Sequence, residues 1–138
     1  MAYFLFKTEP DVYDFDDFLA DQETVWDNVT NTTAVKHLRE MKAGAEFIFY
    51  HTGDERTAVG TGTVLIVDPN DPKVPVVRVK VGERLKQPKT LDDIKDEPIF
   101  DDSPLVTMGR LSVVPLTSEQ WEWFLAEDVG KEGIGNRE

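Results

Sequence analysis

The sequence contains no cysteine and only two histidines. Without thiols the chain can form neither disulfides nor cysteine-ligated metal sites, and two histidines alone do not indicate a metal centre. No apolar run approaches the roughly 20 residues of a membrane-spanning helix, and residues 1–7 are too short and wrongly flanked for a secretion signal. We therefore expect a cytoplasmic protein with no metal, no other cofactor and no membrane partner.

Positive charge is also scarce, since 15 Lys and Arg stand against 27 Asp and Glu, for a formal net charge of −12. Binding to a nucleic-acid backbone depends on Lys and Arg that displace counterions from phosphates. This charge balance therefore argues against a simple nucleic-acid binder. Any affinity for nucleic acid would have to come from a pocket, a local basic patch or a partner protein that supplies basic surface.

Motifs for catalysis are equally sparse. The chain has no phosphate-binding glycine loop and no Gly-x-Gly-x-x-Gly, and none of its three serines lies in a nucleophile-elbow pattern. Glu9 and His51 could be combined into an acid–base pair, but nothing in their spacing requires it. The sequence favours a binding function over an enzyme, and we predict no catalytic residues.

What the chain does contain is an α+β pattern. Apolar runs and alternation predict strands at residues 2–7, 46–52, 58–67, 74–81 and 111–115. Capping patterns predict short helices that begin after Asp14, near Asn31 or Thr32, after Thr90 and after Thr117. Strands interrupted by short helices predict a small mixed β-barrel. Residues 1–126 would form this domain, and the polar, Gly-rich residues 127–138 a disordered tail.

Gly60 and Gly62 lie on the same face of the predicted 58–67 strand. Because that face carries no side chain at these two points, another backbone or a ligand could approach it closely. A strong bend in a small barrel would also explain the two glycines.

Residues 26–33 combine one Trp, two Asn and three Thr with almost no aliphatic bulk, and residues 34–42 then change to helical spacing. An indole and several polar groups would thus lie beside a helix N-terminus, where unpaired N–H groups point outward. Trp26 could stack on a flat heterocycle, and Asn28, Asn31 and Thr52 could read its edges. Alternatively, Trp26 is a core residue and the asparagines only cap the helix.

Several short motifs, in the same order along the chain, resemble those of EVE domains. Residues 3–10, Tyr-Phe-Leu-Phe-Lys-Thr-Glu-Pro, are similar to a first strand that usually ends in Lys-Ser-Glu-Pro. Residues 26–31, Trp-Asp-Asn-Val-Thr-Asn, resemble the family's Trp-Asp-Gly-Val-Arg-Asn loop. Residues 41–52 and 109–117 resemble its Met-Lys-x-Gly-Asp, Phe-Tyr-His-Ser and Gly-Arg-Leu-Ser-Val-x-Pro-Val segments. Together the motifs cover residues 2–125.

The resemblance implies a PUA-like mixed β-barrel of about five to six strands, decorated with short helices and related to YTH and ASCH domains. It implies a non-catalytic domain that accepts a modified nucleobase of DNA or RNA, such as methylated or hydroxymethylated cytosine, in an aromatic pocket. Trp26 would be the stacking wall. The other ligand-binding residues implied by the resemblance are Lys7, Thr8, Glu9, Asn28, Val29, Asn31, Tyr50, His51, Thr52, Arg110 and Ser112.

Two alternatives stay open, namely a sensor of a free nucleoside or another small molecule, and an enzyme that acts on a flipped base. The chain also departs from the family pattern, because Thr30 stands where the family often has Arg. The lost Arg removes a phosphate contact. We therefore expect the partner to be a modified nucleic acid or a nucleotide-like ligand rather than unmodified duplex.

Overall fold

The computed structural model describes residues 2–26, 32–68, 76–109 and 111–126. The six strands are β1 Tyr3–Thr8, β2 Glu23–Trp26, β3 Glu46–His51, β4 Thr57–Asp68, β5 Val76–Thr90 and β6 Val113–Leu116. The helices are α1 Phe15–Asp21, α2 Thr32–Glu40, α3 Leu91–Lys95, α4 Pro104–Thr107 and α5 Ser118–Leu125, with a 3₁₀ turn at Pro98–Phe100. In these ranges no helix is both long and apolar enough to cross a membrane.

The strands form one mixed sheet in the order β2-β5-β4-β3-β1-β6. β1 and β3 are parallel, and every other neighbouring pair is antiparallel. A parallel pair needs a long crossover connection, and here the chain between β1 and β3 supplies α1, β2 and α2. Consequently the parallel pair lies at the middle of the fold, and its C-terminal ends meet at one edge.

The sheet curls strongly. The rings of Phe6 on β1 and Trp26 on β2 have centroids 5.0 Å apart, although three strands separate β1 from β2 in the sheet. In a flat sheet that separation would be about 19 Å, because neighbouring strands lie about 4.8 Å apart. The sheet is therefore a half-barrel, and α2 packs against β6 at the other edge. The predicted α+β mixed barrel with short helices is confirmed in this form.

Aromatic rings fill the inside of the curl. This aromatic interior consists of Phe6, Phe15, Phe18, Trp26, Phe47 and Phe49, which are all buried. It explains the two glycines of β4, because a Cβ at Gly60 would lie 2.3 Å from the Phe15 ring and one at Gly62 would lie 2.3 Å from the Phe47 ring. The side-chain-free face therefore receives aromatic rings, and α1, which carries Phe15 and Phe18, packs inside the sheet.

The predicted helix starts are confirmed. Asp14, Thr90 and Thr117 each accept a backbone hydrogen bond from the third helical residue, whose side chain bonds back to the cap. These reciprocal pairs satisfy N–H groups that a helix leaves without an internal partner. The polar residues at these positions thus define where α1, α3 and α5 begin.

The largest differences from the sequence prediction concern β2, β5 and α2, and the other strand ends differ by one or two residues. β2 was not predicted, because its four residues alternate too briefly to be recognised, and only its last residue, Trp26, falls in the predicted loop. β5 runs to Thr90 rather than residue 81, because the polar residues 82–90 continue to pair with β4 through irregular register. α2 ends at Glu40, whereas the helical spacing in the sequence continues to residue 42. The predicted tail, 127–138, lies outside the described residues.

Candidate functional site

Six of the predicted site residues meet at one edge of the sheet. In the parallel pair, Lys7 is in register with Tyr50, and Thr8 is in register with His51. The Thr52 N–H donates to the Thr8 carbonyl over 2.9 Å, and the Lys7 N–H donates to the Ser112 carbonyl over 2.9 Å. The fold therefore brings together residues that are more than 100 positions apart in the sequence.

These residues are divided between the two faces of the sheet, because successive side chains of a strand point to opposite sides. Thr8 and His51 share a face with the aromatic interior, and the rings of Phe49 and His51 are 5.7 Å apart. Lys7 and Tyr50 share the other face, where the Lys7 Nζ lies 5.9 Å from the centre of the Tyr50 ring. Since the sheet separates the two sets, a ligand that contacted both would have to bind at the ends of β1 and β3.

On the inner face, His51 is 7% exposed and both of its ring nitrogens have partners. Nε2 accepts from the Phe15 N–H over 3.1 Å, and Nδ1 lies 2.8 Å from Oε1 of Glu55. A nitrogen that accepts from an N–H carries no proton, so the arrangement assigns the ring hydrogen to Nδ1. Phe15 is the first residue of α1, and His51 therefore fastens the start of this helix to β3. The acid beside His51 is Glu55 rather than Glu9.

The two threonines at this edge also bond within the fold. The Thr8 hydroxyl donates to the Tyr13 carbonyl over 3.1 Å, and the Thr52 hydroxyl donates to the Thr8 carbonyl over 3.3 Å. Glu9 is exposed, and its carbonyl accepts from the N–H groups of Val12 and Tyr13. A ligand that used these hydroxyls would compete with bonds that shape the turn between β1 and α1.

On the outer face, Lys7 is partly buried and Tyr50 is only 3% exposed. Burial lowers the pKa of Lys7 below its usual range, and the Lys7 Nζ donates to the Gly109 carbonyl over 2.8 Å. Burial also raises the pKa of Tyr50 to about 12, against an opposing effect of Arg56. Lys7 therefore ties the chain before Arg110 to β1. Arg110 itself lies outside the described residues.

Trp26 is the last residue of β2 and is 8% exposed. Its ring centroid lies 5.0 Å from that of Phe6, 5.7 Å from that of Phe49 and 6.1 Å from that of Phe47. This burial agrees with the interpretation of Trp26 as a core residue. A stacking role would require a ligand to displace part of the packing. Asn28, Val29 and Asn31, which follow Trp26, lie outside the described residues, so their roles stay predictions.

Sequence reasoning missed a surface depression of about 470 Å³ between the end of α2 and β4. It is lined by Arg39, Met41, Lys42, Ala43, Leu65, Ile66 and Val67. The polar arc of α2 predicts that Arg39 is exposed, but no local pattern predicts that β4 lies beside it. In the described part of the chain, no cluster of three or more His, Asp and Glu side chains could hold a metal ion.

A family model for the EVE domain matches residues 2–127 of the chain. The chain belongs to the EVE domain family. This EVE domain resembles a protein from Rhodopseudomonas palustris solved by NMR, with 33% identity, 91% coverage of each chain and a TM-score of 0.82. It also resembles the human THYN1 protein, whose crystal structure is a complex with DNA containing 5-methylcytosine, with 26% identity, 91% coverage of this chain, 96% of that chain and a TM-score of 0.80.

A curated relative is thymocyte nuclear protein 1 of Danio rerio. The match is 29% identical and includes 78% of this chain but only 59% of that protein. The EVE domain thus spans well under two thirds of the length of this relative. Its likeness to each of the two solved structures covers 91% of the chain.

Proposed function

We propose that this EVE domain binds DNA that contains a modified base, such as 5-methylcytosine, and catalyses no reaction on it. The observation that carries the proposal is the likeness, over 91% of this chain, to the human THYN1 protein solved with DNA containing 5-methylcytosine. A base in a duplex must leave its stack before a pocket can enclose it, at a cost of a few kcal/mol. Stacking of the domain on the base and contacts with the edges of the base must therefore compensate for that cost.

Trp26 and the loop of residues 27–31 would supply these contacts. Stacking of a base on an aromatic side chain contributes about 1–3 kcal/mol. The Trp26 indole packs against Phe6 and Phe49, which directly precede the two paired residues Lys7 and Tyr50. Because the indole is only 8% exposed, binding would be coupled to a local rearrangement around the end of β2. The free energy of that rearrangement would reduce the net affinity.

A binding role suits the polar groups that are described near this edge. His51 uses both ring nitrogens within the fold, and the hydroxyls of Thr8 and Thr52 bond to carbonyls. A general base needs a free acceptor within reach of the substrate proton, and His51 does not offer one. These hydrogen bonds therefore stabilise this edge of the sheet, which suits a binding role better than a catalytic one.

Titration of fluorescein-labelled duplexes would test the proposal. Three duplexes of one sequence would carry cytosine, 5-methylcytosine or 5-hydroxymethylcytosine at a single position. A methyl group that fills an apolar notch contributes about 0.8 kcal/mol, or roughly fourfold in Kd, and we expect at least that preference for one modified duplex. Equal binding to all three would refute the proposal. Free nucleosides added to the same titration would compete only if the domain is a small-molecule sensor.

A pair of tryptophan variants separates recognition from folding. Trp26→Phe should reduce the preference for the modified duplex, because it removes the larger stacking surface. Trp121→Phe is the matched control, since Trp121 is 7% exposed and its ring stacks on Tyr3 with a centroid distance of 4.8 Å. Both variants should lose stability, but only Trp26→Phe should lose preference. Equal preference in both variants would assign Trp26 to the core alone.

A further inference from the structure

The outer face of the sheet beside Trp26 carries one cation between two apolar side chains. One residue before Trp26, Val25 of β2 is in register with Arg78 of β5. On its other side, Arg78 is in register with Ile66 of β4. All three side chains are exposed, and Ile66 is 58% exposed. A cation flanked by two apolar side chains therefore lies on the surface next to the strand that ends at the predicted base-reading loop.

The same Ile66 lines the depression of about 470 Å³ together with Arg39 and Lys42. Arg39 lies in the last turn of α2, Lys42 follows the helix, and both are exposed. Three cations therefore surround one exposed apolar side chain. Lys36, also exposed, lies one turn earlier on α2, toward the loop of residues 27–31. We call Lys36, Arg39, Lys42, Ile66 and Arg78 the basic face.

The charge of the basic face is opposite to that of the whole chain, which has a net charge of −12. Among the described side chains of the elements that carry or adjoin these cations are two carboxylates, Glu40 on α2 and Glu23 on β2. An oxygen of Glu23 lies 3.8 Å from a guanidinium nitrogen of Arg78, and both side chains are about half exposed. Ion pairs of this kind contribute only about 0–1 kcal/mol, so a phosphate could replace Glu23 at little cost.

We propose that the basic face binds the phosphate backbone of duplex DNA beside the base that is read; this inference rests on the proposed function. α2, which carries Lys36 and Arg39, follows residues 27–31 in the chain, and β5, which carries Arg78, pairs with β2, the strand that precedes those residues. Lys36 and Arg39 are three residues apart and are therefore neighbours on the surface of α2, so both could contact phosphates of one strand.

The alternative occupant of a cationic surface with an apolar centre is an acidic peptide. DNA is favoured because the face includes α2 and the strand paired with β2, the two elements that flank residues 27–31 in the chain, and because an acidic protein needs a local source of phosphate contacts. Ile66 would lie against a deoxyribose, the apolar part of the backbone. Phosphate contacts fix the position of a protein on DNA without reading its sequence, so this face should act equally on modified and unmodified duplexes.

The test is the salt dependence of binding by the full chain. Anisotropy titrations of the 5-methylcytosine duplex and of its unmodified counterpart would be repeated from low to moderate salt. Arg39→Ala, Lys42→Ala and Arg78→Ala should each reduce the slope of log K against log salt by about 0.9. Binding to both duplexes should weaken by the same factor, which leaves their ratio unchanged. Lys42→Glu should weaken binding more than Lys42→Ala.

Lys86→Ala is the matched control. Lys86 is exposed on the same strand, β5, about 25 Å from Arg78 if the strand is extended, and its removal changes the net charge by the same amount. A slope that is unchanged in the basic-face variants, or equally reduced in Lys86→Ala, would overturn the inference, as would weakening of the modified duplex alone. Binding of a Glu-rich peptide that depends on the face, while DNA binding does not, would also overturn it. Thermal melting would show that every variant is folded.

The outcomes distinguish this inference from the proposed function. If the domain shows no preference for a modified duplex but the slope of log K against log salt falls in the basic-face variants, the modified-base function is refuted. Binding of the DNA backbone by the basic face is then still supported. If the preference for a modified duplex is present but this slope is unchanged in the variants, the basic face does not bind the DNA backbone. The proposed modified-base function is then still supported.

Discussion

Trp26 and Arg78 lie on neighbouring strands, one register step apart, yet they belong to regions of opposite character. Trp26 lies in the aromatic interior, where rings contact rings and polar groups such as His51 have their partners within the fold. Arg78 lies on the basic face, where cations and Ile66 are exposed. This difference determines which property a substitution in each region should change. A change in the interior alters stability before it alters recognition, whereas a change on the basic face alters binding with little effect on stability.

The largest effect is expected for Phe49→Ala. Phe49 is fully buried, with its ring centroid 5.2 Å from Phe15 and 5.3 Å from Phe18. Truncation of a buried Phe lowers the free energy of unfolding by about 3–5 kcal/mol, which urea unfolding would measure. The counterpart on the basic face, Ile66→Ala, should stay within about 0.5 kcal/mol because Ile66 is 58% exposed. Similar losses of the free energy of unfolding in the two variants would show that the aromatic interior and the basic face do not differ in this respect.

Gly62→Ala should have the next largest effect on the free energy of unfolding. The added Cβ would lie 2.3 Å from the Phe47 ring and 3.0 Å from the Lys80 carbonyl oxygen. Overpacking of this kind lowers stability by about 1–3 kcal/mol. Gly109→Ala is the control, because no atom lies within 4 Å of its added Cβ. If Gly62→Ala melts at the same temperature as Gly109→Ala, the interior is looser than these contacts indicate.

His51→Ala tests whether His51 is structural. The substitution removes the acceptor of the Phe15 N–H, and a buried donor left unpaired lowers stability by about 1–3 kcal/mol. Glu55→Ala removes only the half-exposed partner of His51 and should change stability by about 0–1 kcal/mol. Chemical denaturation of both variants gives the two values. A larger loss in Glu55→Ala would mean that the hydrogen bond between His51 and Glu55, not the link to α1, holds this edge together.

Part of the fold, and part of the difference between the two regions, could be predicted from the sequence. The capping residues Asp14, Thr90 and Thr117 were predictable because helix starts depend on bonds within a few residues. The alternation of Val77 and Val79 with Arg78 and Lys80 also predicts which side chains of β5 are buried. Local patterns of this kind identify elements and the direction of their side chains.

The remainder depends on contacts between distant parts of the chain. No local pattern shows that the space above Gly60 and Gly62 is filled by Phe15 and Phe47, or that Ile66 lies beside Arg39. The division of Lys7 and His51 between opposite faces follows only from the parallel pairing of β1 with β3. The family resemblance identified which residues to consider, but their orientation required the topology of the sheet.

The effect that is smallest at neutral pH, where it vanishes, concerns the ionisation of buried Tyr50. Burial raises the pKa of Tyr50 to about 12, from a usual value near 10. The unfolded chain therefore loses this proton first, and stability should fall between pH 10 and 12 by up to about 1.4 kcal/mol per pH unit for each such group. Tyr13, whose pKa is also raised to about 12, acts in the same direction. Lys7 acts in the opposite direction, because its lowered pKa favours the neutral form in the folded state.

Tyr50→Phe should make the decline between pH 10 and 12 shallower without changing its shape below about pH 9, where the phenol is neutral in both states. Urea unfolding at intervals from pH 8 to pH 12 would measure this change in slope. Parallel curves for the variant and the wild type would show that Tyr50 ionises as readily in the folded protein as in the unfolded chain. In that case Tyr50 would be accessible to water, and this edge of the sheet would not differ from the basic face in its exposure.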